Sequence, residues 1–198
     1  MSDLDAKKDL HHYLRGARET LVWKLDGLDE YDARRPLTPT GTNLLGLVKH
    51  NASTHLRYFA EVFGRPSDPS LSWLMGGGDP NGEFWAAPDE GREDIVDGHR
   101  RACELADATI TELPIDAVGR VPWWGDSTVT LLGVLVHVTA ETQRHAGHAD
   151  IVRELIDGSA GLLDGFDNLR IADPAGRSDV HDRVEAAARL AARLAGGR

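Results

Sequence analysis

Thiols are nearly absent from this sequence: Cys103 stands alone among 198 residues. A single cysteine excludes an intrachain disulfide framework and a thiolate-rich structural zinc site, and it fits a reducing cytoplasm. Basic charge is scarce as well. Lys and Arg number 22 against 32 Asp and Glu, a formal net charge of −10, and the acidic residues are spread along the chain. That balance disfavours a protein that grips phosphate backbones or an anionic membrane surface, so neither nucleic acid nor membrane is expected as a partner. No segment reaches the ~18 uninterrupted apolar residues of a transmembrane helix. The N-terminus carries Asp3, Asp5 and Asp9 where a secretory signal would need positive charge and then an apolar run. Convincing strand-type alternation is also missing.

What is present is a hydrophobic content of 41%, enough for one core, arranged in four long segments of helical period. The first runs from about Asp5 to Leu25, with Leu10, Leu14, Ala17, Leu21 and Leu25 on one side. Pro36 and Pro39 force a connection, and a second helix is expected from a cap at Thr42 to Phe63, burying Leu45, Val48, Ala52, Phe59 and Phe63. A third, about Glu90 to Leu113, repeats Val96, His99, Cys103, Ala106, Ile110 and Leu113 before Pro114 stops it. Pro122-Trp-Trp-Gly125 forms a turn. The fourth and longest helix is expected to open at a cap on Ser127 or Thr128 and to end at Gly158. Between the second and third lies a Gly-, Pro-, Asp- and Ser-rich stretch, Ser67 to Pro88, that also holds Trp73, Leu74, Met75, Phe84 and Trp85. Such a mixture reads as an ordered loop covering something rather than as a linker.

These segments predict an all-α protein, an antiparallel four-helix bundle spanning 1–170. An extension over 171–198 adds an amphipathic helix, with Val180, Val184, Ala187, Ala191 and Leu194 on a stripe suited to docking on the bundle or on another subunit. Nothing resembles a heptad seam of several repeats, so monomer and homodimer are both compatible with the sequence.

The fourth segment carries the chemistry. In His137-Val-Thr-Ala-Glu-Thr-Gln-Arg-His-Ala-Gly-His148, Glu141 and His145 lie ~40° apart on successive turns, and His137 and His148 fall within ~40° of Glu141. A solvated polar face accounts for Arg144, Asp150 and Arg153. It does not account for Glu141, which with His145 continues the side marked by Val134, Leu135, Val138, Val152 and Leu155. A carboxylate placed there calls for a compensating cation, and carboxylate with imidazole suits a divalent transition metal. Spacing leaves open whether His137 pairs with Glu141 or His145 with His148. A ligand from another helix would complete a three-ligand site with an open position. His50 and His55 are both candidates on the second helix, but five residues place them ~140° apart, so they cannot share one direction into the bundle core.

Leu47-Val-Lys-His50, Val121-Pro-Trp-Trp-Gly125 and the run from Leu135 to Gly158, including Arg144-His-Ala-Gly-His-Ala-Asp150, together resemble the DinB-like superfamily. More narrowly they resemble its actinobacterial branch of mycothiol-dependent S-transferases and mycothiol-dependent maleylpyruvate isomerase. The likeness extends from about Leu10 to Asn168. It implies a four-helix bundle with a divalent metal, zinc foremost and nickel or iron as alternatives, held by one residue of the second helix and two of the fourth. By motif these are His50, Glu141 and His145. Many relatives have histidine at the position of Glu141, whereas the isomerase branch is similar to this chain in having glutamate. A His–Glu–His set leaves one metal charge uncompensated, which favours an added anion such as a thiolate.

The resemblance therefore implies a cytoplasmic, metal-dependent transferase that activates a low-molecular-weight thiol, mycothiol, for attack on an electrophilic small molecule. Two other readings use the same cation site: a metal-dependent hydrolase, which lacks a dedicated base beyond the ligands, and a non-catalytic metal-binding stress-response protein. His148 and Arg144 are candidates for second-sphere hydrogen bonding or substrate contact. Catalytic residues beyond the ligands are not identifiable. Cys103, at core spacing, reads as packing rather than as a nucleophile. Trp73, Trp85, Trp123 and Trp124 are candidate cavity walls, though tryptophans at such junctions more often fill the core.

Overall fold

A computed structural model describes residues 5–166 and 173–196. The expected boundary at 170 and Asn168, the end of the resembling stretch, lie outside the described residues. Helix α1, Ala6–Trp23, starts at Asp5, whose side chain accepts from the Lys8 amide. A short α2, Glu30–Arg34, follows in the connection. Helix α3, Leu44–His55, is capped by Asn43, which accepts from the Gly46 amide, one residue after the expected Thr42. It does not continue as a regular helix to Phe63. Leu56–Glu61 winds as a π-helix, with the Val62 amide donating to Arg57 O at 3.0 Å and the Arg65 amide to Ala60 O at 2.9 Å. The wider turn brings Tyr58, Phe59, Ala60 and Val62 all into the core.

Helix α4, Arg92–Glu112, ends two residues before Pro114. Strands β1, Val118–Val121, and β2, Ser127–Thr130, then form an antiparallel hairpin around Pro122-Trp-Trp-Gly125. Their four-residue ladders are too short to stand out from the sequence. Ser127 and Thr128 pair with Val121 and Arg120, so neither caps the next helix as expected. Thr130 does, accepting from the Gly133 amide, and α5 runs Leu131–Asp157 to a left-handed Gly158 at φ 77°. Helix α6 is Pro174–Gly196.

The architecture is an all-α, antiparallel four-helix bundle of α1, α3, α4 and α5. Helix α1 lies along α5, α3 lies along α4, and α3 also meets α5. One end of the core holds Leu14, Phe59, Ile110, Val134, Leu135 and Val138; the other holds Leu21, Leu45, Val48, Ile95, Ala149 and Val152. Burying side chains of this size contributes ~1.5–3 kcal/mol each.

Three expectations are corrected. Leu155, placed with the buried side of α5, is 63% exposed, because it lies ~120° around the helix from the middle of the buried arc. Asp150 and Arg153, read as solvated, are structural. Asp150 Oδ1 stands 2.7 Å from the Nζ of fully buried Lys24. Arg153 is buried and donates from Nη1 to the carbonyls of Lys24, at 2.9 Å, and Asp26, at 2.8 Å, closing the C-terminal end of α1. Finally, α6 is exposed along almost its whole length, with Val184 and Leu194 each about two-thirds accessible. Its stripe of Val180, Val184, Ala187, Ala191 and Leu194 is left uncovered by the bundle.

Candidate metal centre

His50 on α3 faces Glu141 and His145, one turn apart on α5. Glu141 Oε1 lies 2.9 Å from His50 Nε2 and 2.7 Å from His145 Nε2. The two imidazoles meet edge-on, their centroids 4.9 Å apart, and one ligand atom from each of the three residues lies within 4.8 Å of the others. Among the described residues no other three His, Cys, Asp or Glu side chains converge in this way.

Glu141 and the imidazole of His50 hold one another charged. Burial would lower the pKa of His50, but the carboxylates of Glu141 and Glu83 outweigh it and raise the ring to about 9. Burial likewise works to raise Glu141, yet hydrogen bonds from His145 and His50 hold it far below the ordinary carboxylate range. Glu141 Oε2 and His50 Nδ1 are buried without hydrogen-bond partners. A carboxylate between two imidazole Nε2 atoms, with its second oxygen buried and unpaired, is a donor set that fits a borderline divalent cation.

The loop after α3 supplies parts that sequence reasoning missed. A Cβ at Gly46 would lie 1.9 Å from Phe84 O, so only glycine lets this loop seat on α3. Seated there, Phe84 stacks on the His50 ring at 4.4 Å between centroids. Glu83 brings Oε1 to 3.7 Å from His50 Nδ1, an electrostatic contact beyond hydrogen-bond reach. Ser53 Oγ donates to the other oxygen of Glu83, and Arg57 Nη2 stands 3.6 Å from it. Burial raises the pKa of Glu83, but His50, Ser53 and Arg57 together bring it below its usual value. The aromatic content of the loop marked it as ordered; nothing in the sequence singled out Glu83.

The remaining candidates fall in distinct places. His148 Nδ1 lies 3.4 Å from His145 Nδ1, beside the cluster, and burial with the neighbouring His145 and Arg144 lowers its pKa. Arg144 is exposed. His137 lies outside the three-ligand cluster and packs between Tyr58 and Trp124, at 4.9 and 4.8 Å. His55 indeed points elsewhere than His50, but it is the more deeply buried of the two. Its Nδ1–H donates to Asn51 O at 2.6 Å, leaving Nε2 to accept from Arg18 Nε at 2.7 Å. His99 Nε2 bonds Asn51 Oδ1 at 2.9 Å, while Asn51 Nδ2 donates to Thr142 Oγ1 at 3.0 Å. This buried network ties α1, α3, α4 and α5 together through the neighbours in sequence of His50 and Glu141. Cys103 sits 3.6 Å from His99, and burial pushes its thiol up to about 11, which disfavours the nucleophilic thiolate.

Two cavities flank the cluster. The larger, about 520 Å³, is bordered by Thr40, Thr42, Asn81, Trp85, His145 and His148 among others. The smaller, about 160 Å³, is bordered by Arg57, Tyr58, Trp123, His137 and Glu141 with His50 and Glu83. Trp85 and Trp123 thus wall the cavities beside the cluster, whereas Trp73, half-buried against the core with Lys49 Nζ 5.9 Å from its ring centre, borders a separate cavity.

A family model described as Mycothiol-S-transferase matches residues 9–158. Among solved structures, the crystal structure of a conserved protein from Enterococcus faecalis is similar in fold. It has a TM-score of 0.61 at 15% sequence identity, covering 77% of this chain and 97% of that one. No curated protein matches. Among the described residues no helix is long and apolar enough to cross a membrane.

Proposed function

The chain belongs to the mycothiol-S-transferase family, and on that premise we propose that it transfers a low-molecular-weight thiol, mycothiol, to an electrophilic small molecule with a divalent metal held by His50, Glu141 and His145. The observation that carries the reading is Glu141 itself: one oxygen shared between two imidazole nitrogens, the other buried and unpaired. Zinc is the ion the donor set suits best, with nickel or iron as alternatives. Such an ion supplies positive charge that lowers the pKa of a thiol from its free value of ~8.5, so that thiolate is present at neutral pH.

The chain's own residues do the rest. Glu141 stays ionised, and Phe84 and Glu83 fix the plane of His50 with Nε2 turned toward Glu141. The larger cavity offers Thr40, Thr42 and Asn81, hydroxyl and amide groups suited to a sugar-bearing thiol. The smaller, with Arg57 among aromatic rings, suits a small electrophile that carries an acceptor group. A hydrolase on the same ligands would need a base on their reactive side. Glu83, the additional carboxylate, lies behind His50 on its Nδ1 side and is occupied by Ser53, which favours transfer over hydrolysis.

The test is to purify the protein without chelator, quantify zinc, nickel and iron, and measure conjugation of mycothiol and of glutathione to a panel of electrophiles. Bound metal and mycothiol-dependent conjugation are expected, both abolished in Glu141→Ala. Equal metal content and equal conjugation in the variant would reject the assignment. Metal binding without any conjugation would leave a metal-binding protein that is not a transferase.

A further inference from the structure

The smaller cavity beside the cluster carries a hydroxyl whose proton has no acceptor. His50 and Glu141 border this cavity together with Arg57, Tyr58, Trp123 and His137. At about 160 Å³ it is well below the ~300–1,000 Å³ of ordinary ligand pockets, so it admits only the reacting end of a substrate. Tyr58 is buried, and three rings fix its own: Trp123 at 5.3 Å, Trp124 at 5.8 Å and His137 at 4.9 Å between centroids. Trp123 Nε1 donates to the Tyr58 hydroxyl at 3.3 Å. Indole N–H is a donor only, so the phenol oxygen accepts there and keeps its own proton to give. Among the described residues no group takes that proton.

The π turn decides where Tyr58 points. Eight residues of regular helix would put it ~80° around from His50. The wider winding of Leu56–Glu61 advances fewer degrees per residue, which turns Tyr58 back toward the His50 side of the helix while Phe59 stays in the core. Single π turns within helices recur at functional sites. Arg57 also borders the cavity, but its guanidinium is drawn to Glu83, 3.6 Å away, whereas the Tyr58 proton is uncommitted.

Attack by a thiolate displaces an electron pair from carbon. An alkyl halide releases that pair to water with the departing halide. A conjugated carbonyl or an epoxide keeps it on its own oxygen, as an enolate or an alkoxide, and there an O–H already fixed where the charge develops lowers the barrier. We infer that Tyr58 is a catalytic residue that donates from its hydroxyl to this oxygen, and that the electrophiles of the chain are conjugated carbonyls or epoxides rather than alkyl halides. The inference rests on the transferase reading above. The thiol's proton passes to solvent as the thiolate forms, and the sulfur then bonds to carbon. The pair of the C=C π bond, or of the breaking C–O bond, moves to oxygen. An enolate is protonated at carbon by water, whereas an alkoxide takes the Tyr58 proton and the phenolate regains one from water. Neither route needs an oxidant or a reductant.

Tyr58→Phe keeps the ring and removes the donor. In metal-loaded protein supplied with mycothiol, kcat/KM toward a conjugated ketone and toward a small epoxide is expected to fall roughly 100-fold, while toward an alkyl halide of similar size it holds within about threefold. A loss confined to the ketone or to the epoxide assigns that class as the substrate. A second measurement involves no turnover. 4-Nitrophenolate, a small planar oxyanion, is titrated into chelator-treated protein and followed by its absorption, and Tyr58→Phe should weaken its binding about tenfold or more. Equal losses for all three electrophiles, or no loss, overturn the inference, and so does nitrophenolate affinity that ignores the substitution. If the unaltered protein conjugates no electrophile while nitrophenolate still distinguishes Tyr58 from the variant, the transferase reading falls and the donor stands.

Discussion

Glu141 and its two imidazoles can be felt through a residue that never touches a cation. Glu83 faces His50 Nδ1 at 3.7 Å, so it favours the tautomer with the proton on Nδ1 and leaves the Nε2 lone pair free for coordination. Glu83→Gln is expected to weaken zinc binding by ~10–100-fold while leaving the fold intact, measured by calorimetric titration of chelator-treated protein. Unchanged affinity would reduce Glu83 to a loop anchor. The contrast with the residues read from sequence is physical. His50, Glu141 and His145 sit on long helices, where ~100° per residue fixes direction. His137 has nearly the same azimuth as Glu141, but Tyr58 and Trp124 capture its ring. Those partners come from a π-turn and a hairpin that periodicity does not reveal. Glu83 lies in a loop with no period at all, and its role exists only after the loop folds onto α3.

Elements differ in the same way. The four bundle helices are long enough for apolar periodicity to mark them, and their ends fall within a few residues of Gly, Pro or cap signals. The hairpin ladders have four residues each, and the π-turn has no Gly or Pro to announce it. The loop that roofs the site is held by a close approach instead of a pattern. Gly46→Ala places a methyl group on the Phe84 carbonyl, and the expected outcome is a displaced loop. Stability should fall by about 1–3 kcal/mol, the loop should be cut faster by protease, and Trp85 emission should shift. Zinc affinity should drop with it, since Glu83 moves too. Where α1 ends, Arg153→Met strips the carbonyls of Lys24 and Asp26 of their donor. Unfolding in urea should show a loss of roughly 2–4 kcal/mol, with metal binding unaffected.

For the molecule as a whole, histidines of opposite character shape the dependence of stability on pH. His55 and His99 are fully buried, and desolvation together with the charge of Arg18 drives both pKa values down, His99 to about 3. Their hydrogen bonds require neutral rings, since His55 Nε2 must accept from Arg18. Below the unfolded pKa of ~6.5 the unfolded chain takes up protons that the native chain refuses, so stability is full above that value and falls as the solution is acidified. Each ring then costs about 1.4 kcal/mol per pH unit until its native pKa is reached. His50 acts in the opposite sense. In metal-free protein its pKa is raised to about 9, so its pairing with Glu141 stabilises fully below ~6.5 and is lost as pH rises toward 9. Chelator-treated protein is therefore expected to be most stable near neutral pH, with a steep acid limb and a shallow alkaline one. Urea unfolding from pH 4.5 to 9.5 gives the curve. His99→Gln keeps a donor for Asn51 but cannot titrate, and it should flatten the acid limb by about half. Zinc needs an unprotonated His50 Nε2, so adding it should offset the alkaline decline. An acid limb as steep in His99→Gln as in the unaltered protein would move the acid sensitivity from the bundle's centre to its surface carboxylates.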